Sequence, residues 1–170
     1  MRIIISLAAV LLLASSAWGQ SAGCADPDFD AKVNRILSHS VETISVDELH
    51  DHKTDYLILD IREIEEYQVS HIPGAIYFGY DHPVYELLDD IPTDQPILVY
   101  CSIGYRSEKM GEKLQKRGYT VVKNLYGSIF EWANQGYELH NPQGHSTQQV
   151  HTYNKRWSKW MTNAAYEKTW

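Results

Sequence analysis

The feature that most constrains the fold is a series of short apolar runs, each followed by a segment with helical spacing. Tyr56-Leu57-Ile58-Leu59-Asp60-Ile61 is nearly continuous in its apolar residues, and Ile97-Leu98-Val99-Tyr100 repeats the pattern after Pro96. A strand with one wet face alternates apolar and polar residues, whereas an unbroken run belongs to a strand covered on both faces. Such runs with helices between them predict parallel strands joined by helical crossovers. The rest of the chain keeps the alternation. Residues 43–46 read as a short strand, with 47–49 opening a helical turn. Residues 63–69 read as a helix, 75–78 as a strand entered through Pro73-Gly74, and 84–88 as a short helix stopped before Pro92. A helix over 106–117 ends at Gly118, a strand covers 120–125, and a helix covers 128–134. The expected fold class is α/β: a mostly parallel central sheet with helices on both faces and an added C-terminal helix. In such sheets ligands collect beyond the C-terminal ends of the strands.

The two ends of the chain read differently. Arg2, the apolar stretch 3–14 and the small residues around Ala17-Trp18-Gly19 have the order of a signal peptide over residues 1–19, cleaved before Gln20. Export to the periplasm or outside the cell is the expectation. A lipoprotein anchored through Cys24 is the alternative. Residues 20–42 form a leader in which Phe29, Val33, Ile36 and Leu37 fall at helical spacing. The main domain spans 43–140. Beyond it, Tyr153, Trp157, Trp160 and Ala164 follow at i, i+4, i+7 and i+11, which predicts an aromatic helix within 141–170. That helix either packs on the domain or offers a protein partner a docking face, with Lys155, Arg156 and Lys159 on the wet side.

The 170 residues carry a formal charge of −7, which argues against nucleic acid and anionic membrane surfaces as partners. An acidic chain that handles an anion needs a local positive site, so single arginines become informative. His50-Asp51-His52 offers two metal-type ligands without a third candidate nearby and reads as a solvated turn.

Cys101 closes the strand 97–100 and is followed by Ser102-Ile103-Gly104-Tyr105-Arg106. A free thiol ionises at a pKa of about 8.5, so nucleophilic work at neutral pH needs a surrounding that favours the thiolate. A tight loop before a helix supplies converging backbone amides. Gly104 permits the dihedrals such a loop needs. Arg106 adds a permanent charge with planar, multi-donor geometry suited to an oxyanion. A cysteine, an anion cradle and a helix start fall within six residues.

This segment resembles the active loop of the rhodanese family, of the kind Cys-x-x-Gly-x-Arg. Asp60-Ile61-Arg62, then Glu66-Tyr67, then His71-Ile72-Pro73-Gly74-Ala75 resembles a second rhodanese signature, with Ser70 where glycine is usual. The resemblance covers roughly residues 43–138. It implies a sulfurtransferase: Cys101 takes a sulfane sulfur from a donor such as thiosulfate, and a thiophilic acceptor removes it. The amides of Ser102, Ile103, Gly104, Tyr105 and Arg106 would hold the persulfide, and Arg106 would bind the donor. Asp60 and Arg62 would support the pocket as a structural ion pair, and His71 would be a hydrogen-bonded loop histidine. No metal or organic cofactor is implied. A partner-dedicated binding or redox-sensing module is the alternative. A phosphatase or arsenate reductase fits less well, since only four residues separate Cys101 from Arg106 where Cys-x5-Arg phosphatases have five.

Overall fold

The computed structural model describes residues 22–170. The expected signal peptide lies outside the described residues. Five strands form the central sheet: β1 (Glu42–Ile44), β2 (Leu57–Asp60), β3 (Ile76–Tyr77), β4 (Ile97–Tyr100) and β5 (Val122–Leu125). Their order is β1-β5-β4-β2-β3, and every pairing is parallel. β4 lies at the centre, with Ile97 opposite both Leu57 and Val122. The C-terminal ends of the strands therefore share one edge, and Cys101 stands there.

The unbroken apolar runs divide between two cores. Leu98 and Tyr100 of β4 and Ile58 of β2 enter one, while Ile97 and Val99 of β4 and Leu59 of β2 enter the other. This is the period-two alternation of side chains across a pleated strand. The first core is closed by α1 (Pro27–Ile36), α2 (Val46–His52) and α5 (Ser128–Asn134), through Phe29, Val33, Leu49, Ile129 and Phe130. The second is closed by α4 (Tyr105–Lys116), through Met110 and Leu114. α3 (Ile64–Val69) follows β2. Helices thus flank both faces of a parallel sheet, as the apolar runs require. α1 has a strong start: Pro27 fills the first turn and the Asp26 carboxylate accepts from the amides of Asp28 and Phe29 at 2.8 and 3.2 Å.

The expected C-terminal helix is absent. After β6 (Leu139–His140) and β7 (Ser146–Thr147), the chain forms β8 (Gln149–His151), a single 3-10 turn at Ser158–Trp160, and β9 (Glu167–Thr169), which pairs parallel with β8. Two local effects defeat the helix that the spacing predicts. Tyr153 sits in the left-handed region at φ +64°, which no interior helix residue occupies. The Asn154 side-chain Oδ1 accepts from the amides of Arg156 and Trp157 at 3.0 and 3.2 Å, and that of Asn163 from Ala165 at 2.9 Å. Side chains that bond their own backbone in this way favour turns over helices. The aromatic face that would have met a partner therefore does not form. Trp160 stacks on Phe29 at 5.7 Å, Ala164 is exposed, and Tyr153 turns elsewhere.

The extension nevertheless belongs to the core, since Val150 and Met161 are fully buried in the first cluster. We expect Met161→Ala to lower unfolding stability by about 2–5 kcal/mol, measured by equilibrium denaturation. A change within a few tenths would mean that the extension is only laid on the surface.

Candidate active site

Cys101 is 1% exposed and begins the loop between β4 and α4. Hydrogen bonds made on the outside of the loop set its shape. The carbonyls of Cys101 and Ser102 accept from the amides of Ile129 and Phe130 in the first turn of α5, both at 3.2 Å. The Gly104 carbonyl accepts from the Asn124 side-chain amide and the Glu108 backbone amide, each at 3.0 Å. With these carbonyls held away, amides face the sulfur, and Gly104 N–H donates to Cys101 Sγ at 3.2 Å. Gly104 has φ +116°, which a side chain would strain. The loop's entry is pinned by Ser128, whose hydroxyl oxygen accepts from the Cys101 amide at 3.2 Å and donates to the Leu125 carbonyl at 3.0 Å. Ser128 itself has φ +52°. A non-glycine residue held in that region marks a position fixed by its surroundings.

Burial pushes the Cys101 thiol up. The Arg106 charge, the Ser107 hydroxyl and the backbone amides of Ser107 and Gly104 outweigh it, and the pKa lies below its ordinary value. Ser107 escaped the sequence reading. Its hydroxyl lies within 3.0 Å of the Gly104 carbonyl and 2.7 Å of Asn124 Oδ1, in the first turn of α4. Only its proximity to Cys101 in the chain could have raised it.

The Arg106 guanidinium is already partnered. Its Nη1 donates to Glu66 Oε2 at 2.7 Å, and its Nη2 donates to Glu66 Oε1 and Ser102 Oγ, both at 2.9 Å. The Ser102 hydroxyl donates to Glu66 Oε1 at 3.0 Å, and the Glu63 amide to Glu66 Oε2 at 3.1 Å. Burial alone would raise the Glu66 carboxyl, but Arg106 holds it below the usual carboxylate range. Glu66 was legible only as part of the acidic-aromatic pair Glu66-Tyr67. Its role as counter-ion to Arg106 needed the fold, since α3 and α4 meet only in space. Ile103 and Tyr105 also line the site, with Tyr105 half exposed.

Asp60 and Arg62 lie apart from the sulfur, buried beneath the second motif. Arg62 Nη2 donates to Asp60 Oδ2 and to the Ser70 carbonyl, both at 2.6 Å, and the Tyr100 hydroxyl donates to Asp60 Oδ2 at 2.6 Å. His71 stacks on Tyr67 at 4.0 Å, with Nδ1 3.3 Å from the Tyr67 carbonyl, and burial lowers its pKa.

A cavity of about 570 Å³ opens over Cys101. Ser102, Ile103, Tyr105 and Arg106 of the loop line it, with Ile36 of α1, Glu63, Tyr80, Asp81, and Tyr153 and Trp157 of the extension. The Tyr153 ring faces the Arg106 guanidinium at 5.1 Å. His151 Nδ1 is 4.0 Å from Glu66, but that nitrogen accepts the Tyr153 amide at 3.1 Å, so the contact is not an ion pair. Trp157 also borders a second groove of about 370 Å³ that carries Lys32, Arg35, Arg156 and Lys159 beside Asp28.

Residues 45–135 match the Rhodanese-like domain family. The chain belongs to that family. A sulfurtransferase of Allochromatium vinosum is 33% identical over 112 residues, 66% of this chain and 99% of that one. The thiosulfate sulfurtransferase GlpE of Coxiella burnetii is 29% identical over 80 residues, 47% of this chain and 74% of its own. Among solved structures, the rhodanese-like chain is similar in fold to BH2092 of Bacillus halodurans, with a TM-score of 0.55 at 22% identity over 70% of this chain and 89% of that one. Family and relatives together support a sulfurtransferase or rhodanese-family role. The family match leaves out α1 and everything after residue 135, and with them Ile36, Tyr153 and Trp157 of the cavity.

Alkylation by a small haloacetamide follows the thiolate fraction. We expect the Cys101 rate to level off at lower pH than for the same cysteine in the denatured chain, because the native pKa is depressed. Ser107→Ala removes a hydroxyl that holds the Cys101 pKa down and should move the profile to higher pH. Coincident native and denatured profiles would refute the thiolate-favouring loop.

Proposed function

We propose that the protein is a sulfurtransferase of the thiosulfate:cyanide type that works through a persulfide on Cys101. The observation that carries this reading is a buried sulfur with a depressed pKa, facing the Gly104 amide at the floor of an open cavity. The thiolate attacks the outer sulfur of thiosulfate. The new S–S bond forms as the old one breaks, and sulfite leaves with the bonding pair. The terminal sulfur then carries the negative charge, beside the loop amides and the Arg106 charge. In the second step cyanide, or a physiological thiophile, attacks that outer sulfur, takes it as thiocyanate or its counterpart, and returns the thiolate. This is a two-step covalent scheme. Arg106 supports it by lowering the cysteine pKa and fixing Ser102 and Glu66, more than by gripping the donor with free N–H groups.

The test is mass spectrometry of the purified chain. Thiosulfate should add one sulfur atom, cyanide should remove it, and Cys101→Ser should never gain it. Arg106→Lys keeps a charge but loses the fork that holds Glu66 and Ser102. We expect it to load at least about tenfold more slowly, the equivalent of one lost charge-assisted hydrogen bond. No mass gain with any sulfane donor would sink the reading.

One observation favours a second reading, a sulfur carrier dedicated to an acidic partner protein. The groove with Lys32, Arg35, Arg156 and Lys159 adjoins the active cavity through Trp157, in a chain that is acidic as a whole. A glutamate-rich peptide bearing a cysteine should then accept sulfur faster than its glutamine counterpart at low salt, with the advantage fading as salt rises. Equal rates at low salt would exclude this reading.

A further inference from the structure

The cavity over Cys101 is larger than an inorganic dianion needs. Its volume of about 570 Å³ lies within the range of about 300–1,000 Å³ in which pockets enclose whole organic ligands. Thiosulfate would fill a small corner of it. The walls above the loop are the side chains of Ile36, Ile103, Tyr80, Tyr105, Tyr153 and Trp157, which offer ring faces and methyl groups.

The charges point the same way. Among the described residues Arg106 is the only basic one that lines the cavity, and three of its five N–H groups already go to Glu66 and Ser102. Glu63 and Asp81 stand on the wall, and the attacking thiolate adds a further negative charge. A donor with two negative charges enters against this field and meets a cation already paired with Glu66. A donor with one negative charge at its sulfur and an apolar body suffers less repulsion and gains contact area.

Ile36, Tyr153 and Trp157 lie outside the residues that match the family. Tyr153 is held at φ +64° with half of its surface exposed. Trp157 is steadied from behind by the Lys32 ammonium, 5.2 Å from its ring.

We propose that the donor taken by this cavity is a small organic sulfane compound: a singly charged persulfide or thiosulfonate whose apolar, ring-sized body packs against Tyr153 and Trp157. This rests on the sulfurtransferase reading above and names its substrate class. For a thiosulfonate the step balances as the thiolate bonds to the terminal sulfur, the bond between that sulfur and the sulfonyl sulfur breaks, and the sulfinate departs with the electron pair. One negative charge remains on the persulfide and one on the sulfinate, equal to the two that entered.

The experiment compares benzenethiosulfonate, methanethiosulfonate and thiosulfate as donors to the full chain. Persulfide formation on Cys101 is followed by mass, and each rate is divided by that donor's rate with a free small thiol at the same pH. The two thiosulfonates carry the same charge, so their ratio isolates the body. Burying a ring should favour benzenethiosulfonate over methanethiosulfonate by at least about tenfold, with thiosulfate the slowest of the three. Tyr153→Asn keeps a residue that tolerates the left-handed backbone and should cut the ratio to within about threefold of unity. Trp157→Leu, checked for folding by circular dichroism, should cut it likewise. A wild-type ratio near one, or a ratio that both variants leave unchanged, would overturn the proposal while the sulfurtransferase reading stands. Failure of all three donors to load sulfur would instead remove the reading beneath it.

Discussion

The chemistry at Cys101 depends on where a few carbonyl groups point. A short loop of backbone presents amides to a sulfur only if its carbonyls are bonded on the other side, because each peptide unit carries both. Here the first turn of α5 takes the carbonyls of Cys101 and Ser102, while Asn124 and α4 take that of Gly104. The anion cradle is therefore a product of the packing of α5 and β5 against the loop as much as of the loop's own sequence. Ser128, strained at φ +52°, ties the two together from α5. Losing the α5 contacts would free the Cys101 and Ser102 carbonyls that the Ile129 and Phe130 amides now hold.

A second buried network holds the facing wall. Asp60 and Arg62 are completely buried, and desolvating two charges costs several kcal/mol per ion before their attraction offsets it. The offset is good because the partners are numerous: the Arg62 amide, its guanidinium and the Tyr100 hydroxyl all donate to Asp60, and Arg62 also reaches the Ser70 carbonyl. Removing either partner would strand a charge, at a cost of about 3–5 kcal/mol. What the network achieves is placement. The Tyr100 hydroxyl accepts from the Ile72 amide at 3.2 Å, so β4 fixes the His71–Ala75 loop from below. His71 pairs in turn with His140 through two backbone hydrogen bonds. Glu66, at the near end of the same segment, is thereby presented to Arg106.

Much of this was legible in the sequence because its cause is local. The apolar runs of β2 and β4 declare coverage on both faces, and two cores are the outcome. Gly104 and Gly118 mark the ends of α4 because only a left-handed backbone closes them. Cys101 stood out for its place at a strand end. What was not legible has non-local causes. The pairing of Glu66 with Arg106 joins residues forty positions apart. Ser128 looks like any helix start until Cys101 is seen against it. The aromatic spacing of the extension is genuine helical periodicity, and Trp157 and Trp160 do pack on the first core. The expected helix fails because turns at Asn154 and Asn163 and the pairing of β8 with β9 supply backbone hydrogen bonds that the periodicity does not count.

The extension also explains why the site is more than its loop. The residues that match the family supply the nucleophile, the amides and the buried ion pairs, which form the floor of the cavity. Its roof comes from segments on either side of the family match: Ile36 from α1, Tyr153 and Trp157 from the segment after β8. These segments are held to each other by the Phe29–Trp160 stack and by Lys32 against Trp157. They are held to the domain by Val150 and Met161 in the same core that α5 closes. α5 therefore has two duties. One end of it holds the loop carbonyls away from the sulfur, and its flank carries the segment that shapes what the sulfur meets. Reactivity and selectivity share one packing interface, so a change in the extension's core would reach the loop through α5 without touching Cys101.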